Sequence, residues 1–304
     1  MGQAMIEVQN FRKTYGKFTA VEDVSFTVHT GEILGLLGPN GAGKTSILET
    51  LEGLREPNGG NIRVAGLDPA TEQTKLHKVI GVQLQSAGMP ESITPVEAMK
   101  FFCAYHGVKP RFDLLDRLGL QEKTRTQFYE LSTGQQRRLA LALAVAHEPQ
   151  ILFLDEPTAG LDVASRVELH KLMRDLRTNG TTIILATHDM AEAEELSDRV
   201  AILLNGKLAA LGSPLQITST GEGLSKISVN TRNGSLKQAA EFPSVQQFSA
   251  KEEYLVYYST DISLTVSAIL SFIQSQDDQV IDLRVERPSL EDRFLEITRE
   301  GSAQ

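Results

Sequence analysis

Residues Gly38 to Thr45 read G-P-N-G-A-G-K-T and follow directly on the apolar run Ile33-Leu34-Gly35-Leu36-Leu37. A G-x-x-x-x-G-K-[ST] spacing between a strand-like run and a helical pattern, here Lys44 to Leu51, builds an anion cradle. Glycines let the backbone curl so that successive N–H groups converge on a phosphate. The helix that starts there adds its free N–H groups and the positive end of its dipole. Gly38, Pro39, Asn40, Gly41, Ala42, Gly43, Lys44, Thr45 and Ser46 are therefore candidate nucleotide contacts. Lys44 supplies a point charge for the outer phosphates, and Thr45 a hydroxyl for Mg2+.

Two further stretches narrow the reading. Ile151-Leu152-Phe153-Leu154 followed by Asp155-Glu156 has the pattern of a buried parallel strand with carboxylates at its C-terminal end. Ligands of open α/β sheets sit at that end. Asp155 can hold the shell of Mg2+, and Glu156 can orient the attacking water or take its proton. Leu131-Ser132-Thr133-Gly134-Gln135 precedes the helical stretch Gln136 to Ala144 and predicts a second helix N-terminus able to grip an anion. Taken alone, those five residues read equally well as an ordinary Ser cap.

Together these motifs resemble the ATP-binding cassette family over about residues 5 to 215. The order of elements is the family's: cradle, glutamine loop, signature, Asp-Glu strand, Asp loop and switch histidine. The resemblance implies a P-loop NTPase cassette of the α/β class. Its mixed sheet core carries an antiparallel β subdomain and a helical subdomain at about residues 90–146. It also implies that two cassettes, expected to be a homodimer, pair head to tail. Ser132, Gly134 and Gln135 of each signature then close on the ATP held by the other. Thr133 stands where the family usually has Gly.

The weaker motifs gain their meaning from position. Gln85, in Ile80-Gly81-Val82-Gln83-Leu84-Gln85, matches the family's Mg2+ and water ligand; Gln83 competes, because alternate residues of a strand share a face. Asp162, in Ala159-Gly160-Leu161-Asp162, matches the Asp loop at the dimer seam and is equally placed to cap the helix from Val163. His188, after the apolar run Thr182 to Ala186, matches the residue that contacts the γ-phosphate; a neutral imidazole can donate there and orient water. Tyr15 matches the aromatic that stacks on adenine, with core packing as its structural alternative.

The 304 residues are 41% hydrophobic and 23% charged, an ordinary globular composition with room for one large domain and a small one. A single cysteine, Cys103, excludes a disulfide framework, and its apolar surroundings predict a small buried hydrophobe. No apolar run approaches the length of a membrane span, and the start has no signal-peptide pattern. The net charge of −9 argues against a nucleic-acid face or a polybasic anchor. No long heptad insertion separates cradle from signature, against a chromosome-associated ATPase. A non-catalytic ATP sensor is the other rival, opposed by the presence of Glu156 and His188.

Cassette motifs stop after Leu211-Gly212-Ser213-Pro214, giving expected domains of 1–220 and 221–304. The second has strand-like runs at Lys226–Asn230, Tyr254–Ser259 and Val280–Val285 and helical runs at Ile262–Gln274 and Ser289–Arg299, a small α+β domain. Its segment Pro288-Ser289-Leu290-Glu291-Asp292-Arg293-Phe294 is similar to the closing segment of cassettes serving multidrug or ABC-2-type exporters. Leu290, Phe294 and Leu295 are expected to face inward. The resemblance implies ATP and Mg2+ as ligands, a separately encoded transmembrane permease as partner, and a place at the cytoplasmic face of the membrane. It also implies export of drugs or other small solutes, with import as the rival.

Overall fold

The apolar runs that flank the cradle and the acidic pair form the middle of one sheet. The structure, a computed structural model, describes residues 2–83, 88–219, 223–238, 241–251 and 253–302. The chain divides into two compact units, Met1–Pro214 and Leu215–Gln304.

In the first unit the strands are β1 (Ala4–Tyr15), β2 (Phe18–His29), β3 (Ile33–Leu37), β4 (Gly59–Val64), β5 (Ile80–Gln83), β6 (Ile151–Asp155), β7 (Thr182–Thr187), β8 (Arg199–Leu204) and β9 (Lys207–Gly212). The helices are α1 (Lys44–Leu51), α2 (Gln73–Leu76), α3 (Pro95–His106), α4 (Phe112–Arg117), α5 (Thr133–Val145), α6 (Val163–Thr178) and α7 (Met190–Leu196). A six-stranded sheet runs β5-β6-β7-β3-β8-β9, parallel except for β9. All five residues of β3 are buried, as a strand covered on both faces requires. Beside it, β2-β1-β4 forms an antiparallel sheet.

Pairing register decides where the site falls. Leu37 lies opposite Thr187, and Asp155 opposite Ala186. The C-terminal ends of β3, β7 and β6 therefore lie side by side, and the cradle, His188 and the acidic pair leave the sheet together. That is where an open α/β sheet places its ligand.

The helical subdomain starts with Thr94 capping α3: its hydroxyl accepts from the Glu97 N–H, and Pro95 opens the helix. Met99 and Cys103 of α3 join Leu115 of α4 and Leu139 and Leu143 of α5 in a core continuous with Leu152 and Leu154 of β6. Cys103 is buried with its sulfur 3.6 Å from that of Met99, the small apolar role expected of it.

The second unit contains α8 (Pro214–Ser219), shared with the boundary, then β10 (Ser225–Thr231), β11 (Val245–Lys251), β12 (Tyr254–Ser259), α9 (Ile262–Ser275), β13 (Val280–Glu286) and α10 (Leu290–Ser302). Its sheet runs β11-β12-β10-β13, antiparallel throughout. Ile227, Val229, Tyr257, Ile269 and Ile273 make its core. Leu295 departs from expectation: it is 48% exposed, whereas Leu290 and Ile297 are buried and Phe294 half-buried. Positions 290, 294 and 297 share one helical face, and 295 falls off it. Ser289 caps α10, its N–H and hydroxyl both donating to Asp292 Oδ2.

Candidate functional site

The cradle is shaped by backbone that other residues could not supply. Gly43 precedes α1 at φ 103°, and a Cβ there would lie 2.7 Å from the Ala20 carbonyl oxygen. Gly38 is held as closely, since a Cβ on it would lie 2.5 Å from the Leu203 carbonyl oxygen. Both positions therefore demand glycine for space as well as for conformation. Pro39, Asn40 and Gly41 are exposed, and Ala42 is buried with its N–H donating to the Pro39 carbonyl. The helix begins without a side-chain cap.

Lys44 is buried and folds back on the turn, donating to the carbonyl of Gly38 at 2.6 Å and of Pro39 at 3.2 Å. Burial lowers its pKa, while Glu156 and then Asp155 act to raise it. Thr45 is exposed at the mouth, with Ser46 half-buried beside it. The Tyr15 hydroxyl lies 3.3 Å from Ser46 Oγ, which fixes the end of β1 against the start of α1. Tyr15 is 38% exposed, so core packing does not describe it. The Lys13 ammonium and the Arg55 guanidinium lie 5.2 and 5.5 Å from its ring centroid.

Asp155 ends β6 half-buried, and its pKa is raised by burial and by Glu156, against the pull of Lys44. Glu156 turns off the strand in left-handed backbone, φ 51°, with its N–H donating to the Ala186 carbonyl. Its Oε2 lies 2.8 Å from Nδ1 of the exposed His188. The two sequence-distant motifs are thus one carboxylate–imidazole pair. Arg137 contributes a contact that sequence reasoning missed: its guanidinium donates to the carbonyls of Glu156, at 3.2 Å, and of Ala159. Nothing in the run Gln136-Arg137-Arg138 marks which arginine reaches the acidic turn.

The signature helix is closed on itself. Ser132 Oγ accepts from the Gln135 N–H at 3.3 Å, and Gln135 Oε1 accepts from the Ser132 N–H at 2.9 Å, a complete capping box. Gly134 is half-buried, and a Cβ on it would lie 3.3 Å from Leu161 Cδ2. Asp162 caps α6, accepting from the Ser165 N–H and hydroxyl, which holds its pKa down. Gln83 is buried in β5, with its Oε1 unpartnered among the described residues. Gln85 lies outside them.

At the far end of α1, Glu52 is buried with Oε2 unpartnered among the described residues. Burial, then the charges of Asp155 and Glu49, push its pKa up to about 8.

The geometry fits a nucleotide and a hard cation. Burial and the neighbouring Glu156 disfavour the charged form of Asp155, and a divalent cation bound beside it with phosphate would relieve that crowding. Among the described residues no cluster of His, Cys, Asp or Glu is assembled to hold a metal by itself. Mg2+ does not require such a cluster, since it keeps waters and binds through one or two protein ligands plus phosphate. No helix of the described residues is long and apolar enough to cross a membrane.

Comparison with known proteins agrees. The family described as ABC transporter matches residues 21–159. The linearmycin resistance ATP-binding protein LnrL of Bacillus subtilis is 30% identical over 97% of this chain and 98% of its own length. A Nod factor export ATP-binding protein I of Rhizobium sp. is 36% identical over 98% of each. A fluoroquinolones export ATP-binding protein of Mycobacterium tuberculosis is 37% identical over 71% of this chain and 73% of its own length. Among solved structures, an ATP-binding subunit of an ABC transporter superposes with a TM-score of 0.68 at 27% identity, covering 71% of this chain and 92% of that one. A dimeric cassette in a post-hydrolysis state with ADP and Pi gives 0.64 at 25% identity, covering 69% and 98%. With identity extending through both compact units and the phosphate cradle in place at the sheet's C-terminal edge, this chain belongs to the ABC transporter family, as an ATP-binding subunit that hydrolyses ATP.

Proposed function

We propose that the chain is one of two identical cassettes that close head to tail around ATP and Mg2+ and drive a separately encoded permease exporting drugs or other small, lipophilic solutes. The observation that carries the reading is the convergence of cradle, acidic pair and His188 on three adjacent strand ends, with Glu156 and His188 2.8 Å apart. Export is supported by the relatives, whose names concern linearmycin resistance and the export of Nod factor and fluoroquinolones.

On this reading the phosphates of ATP lie against the N–H groups of Gly38 to Thr45. Lys44 exchanges two carbonyls for phosphate oxygens, a change from dipole to full charge that strengthens each hydrogen bond. Tyr15 offers its ring to adenine, and the nearby Lys13 and Arg55 add positive charge at that end. Thr45, Asp155 and Gln85 would hold Mg2+, which supplies neutralising charge at the phosphates. Glu156 accepts the proton of the attacking water. His188 holds that carboxylate in place and donates toward the γ-phosphate. Ser132 and Gly134 of the second copy complete the site, Gln135 keeps that helix terminus formed, and Asp162 lines the seam.

Closure moves the permease only as far as ATP binds the closed form more tightly than the open one. The second unit takes no part in the chemistry and stabilises or regulates the dimer. The chain would sit at the cytoplasmic face of the membrane through its permease. The test is ATPase activity against protein concentration. The rate per chain should rise with concentration, because each site needs two chains. A rate per chain constant down to concentrations where light scattering finds monomers would overturn the shared site. Transport is tested by co-expression with a candidate permease, reading ATP-dependent solute uptake into inside-out vesicles; no permease-dependent uptake from any neighbouring open reading frame would count against the export reading.

A further inference from the structure

The turn that carries Glu156 stands on costly backbone. Glu156 has φ 51°, a left-handed conformation that a residue with a side chain adopts at some expense. Pro157 follows it, and the residue before a proline is pushed toward extended backbone instead. Backbone of this kind persists only where its surroundings hold it. The Glu156 N–H donates to the Ala186 carbonyl of β7 at 2.9 Å. The Glu156 carbonyl accepts from the Ala159 N–H at 3.3 Å and from Arg137 Nη1 at 3.2 Å. The same Nη1 donates to the Ala159 carbonyl, so one guanidinium nitrogen fastens both ends of the turn. Arg137 stands on α5 three residues after Gly134, where a Cβ would lie 3.3 Å from Leu161 Cδ2. Positions 134 and 137 share a helix face, so that face of α5 lies against residues 156–161.

We propose that Arg137 is a positioning residue for hydrolysis: it acts through the main chain of Glu156 and fixes where the carboxylate of its own chain stands. This rests on Glu156 being the base that takes the proton of the attacking water. The contacts divide the labour. His188 Nδ1 holds the tip of the carboxylate, 2.8 Å from Oε2. Arg137 holds the main chain from which that side chain springs, and both of its side-chain hydrogen bonds among the described residues go to this turn. A charged donor binds a carbonyl more strongly than a neutral one, and arginine keeps its charge at any working pH. Arg138 cannot stand in, because its guanidinium reaches the carbonyls of Gly134 and Leu118. A side chain rooted in costly backbone shifts when an anchor is lost, and a misplacement of about 1 Å can cost about a hundredfold in rate. The cradle is built from other contacts, so turnover should respond and nucleotide affinity should not. The rival role for Arg137, supporting Ser132 and Gly134 for the second copy's ATP, would put the effect in the other chain's site.

The test uses the full chain. Arg137→Met keeps the stem and removes the donors; Arg137→Lys keeps a donor. Turnover of Arg137→Met should fall about tenfold to a hundredfold. Its KM and its ATP affinity by isothermal titration should stay within about twofold, the signature of an interaction that matters only in the reaction. Arg137→Lys should recover part of the loss. Unaltered turnover in Arg137→Met, or a lysine variant no faster than the methionine one, overturns the proposal. A second arm locates the effect. Glu156→Gln chains, which bind ATP without turning it over, are mixed in excess with active chains before ATP is added, so that active chains pair with silent ones. Arg137→Met in the active chain should lower turnover as it does alone, and in the silent chain it should not. Equal loss from the silent chain would assign Arg137 to the signature terminus and overturn the proposal. Should Arg137→Met not fold, Arg137→Lys carries both arms with a smaller fall. Glu156→Gln by itself separates the two readings. If it turns over ATP at the unaltered rate, the base is misassigned and this proposal falls with it; if it is slow and Arg137→Met is not, the proposal alone falls.

Discussion

On the function proposed above, two helix N-termini meet phosphate, and they are built in opposite ways. The α1 terminus has no side-chain cap, is bordered by glycines that neighbouring carbonyls would not let be anything else, and holds its lysine against its own turn. The α5 terminus carries a complete capping box between Ser132 and Gln135. One is uncapped within a single chain; the other already has its Gln135 N–H engaged by the Ser132 hydroxyl. The difference teaches which site binds first. A ligand at α1 meets donors that lack partners, whereas a ligand at α5 must share or displace a capping bond that already exists. That suits a second, conditional contact made only when another chain brings phosphate to it.

The sharpest way to break the comparison is at Lys44. Lys44→Ala removes the one buried cation of the cradle and should abolish measurable ATP binding by isothermal titration. Unchanged affinity would mean that the backbone donors suffice and that α1 is no more specialised than α5. Next is Glu156→Gln, which keeps the shape of the carboxylate–imidazole pair and removes the base. Turnover should fall by about two orders of magnitude or more. ATP should still bind, and light scattering should show a dimer persisting with ATP and Mg2+. Turnover at the unaltered rate would transfer the role of base to another group.

A smaller effect tests the other end of α1. The folded pKa of Glu52 is raised from 4.5 to about 8. The folded state therefore holds a proton that the unfolded state releases between those values. Stability from this group is complete in acid and is lost as pH rises through the window, at up to about 1.4 kcal/mol per pH unit. Glu52→Gln removes that slope. Its melting temperature relative to the unaltered chain should climb steadily from about pH 5 to about pH 8. A pH-independent difference would show that Glu52 is not the buried acid that titrates, and the two ends of α1 would then need no separate account.

Sequence was most legible where burial and chemistry coincide. Ile33–Leu37 and Ile151–Asp155 are apolar because both faces of their strands are covered, and the motifs begin where that run ends. The pairing of Glu156 with His188 was not legible, since it depends on β6 and β7 being neighbours. Strand β11 was missed for a related reason. V-Q-Q-F-S-A-K has no buried residue, and it is a strand only because β12 offers it hydrogen bonds. Leu295 was misjudged because it follows Phe294 directly, and a helix turns adjacent residues to different sides. For Ser132 and Asp162 the sequence left capping and phosphate or seam roles open together, and both residues cap. Capping is local and visible in one chain; the other role needs a second.

The smallest expected effect is at Ser132, where the two roles can be separated. Ser132→Ala loses the 3.3 Å bond from the Gln135 N–H but keeps the reciprocal bond to the Ser132 backbone. The cost should sit near the low end for a lost cap, about 0.5–1 kcal/mol in chemical denaturation. ATP affinity of the single chain should not change, because no atom of this helix joins its own cradle. Ser132→Asp restores a good cap, so its stability should match the unaltered chain. It also puts a negative charge where the other chain's γ-phosphate would arrive. In the Glu156→Gln background, Ser132→Ala should therefore weaken the ATP-dependent dimer modestly, and Ser132→Asp should abolish it although its fold is more stable than that of Ser132→Ala. If Ser132→Asp closes as well as Ser132, the helix serves only its own fold. The two N-termini would then differ in function and not merely in order of binding.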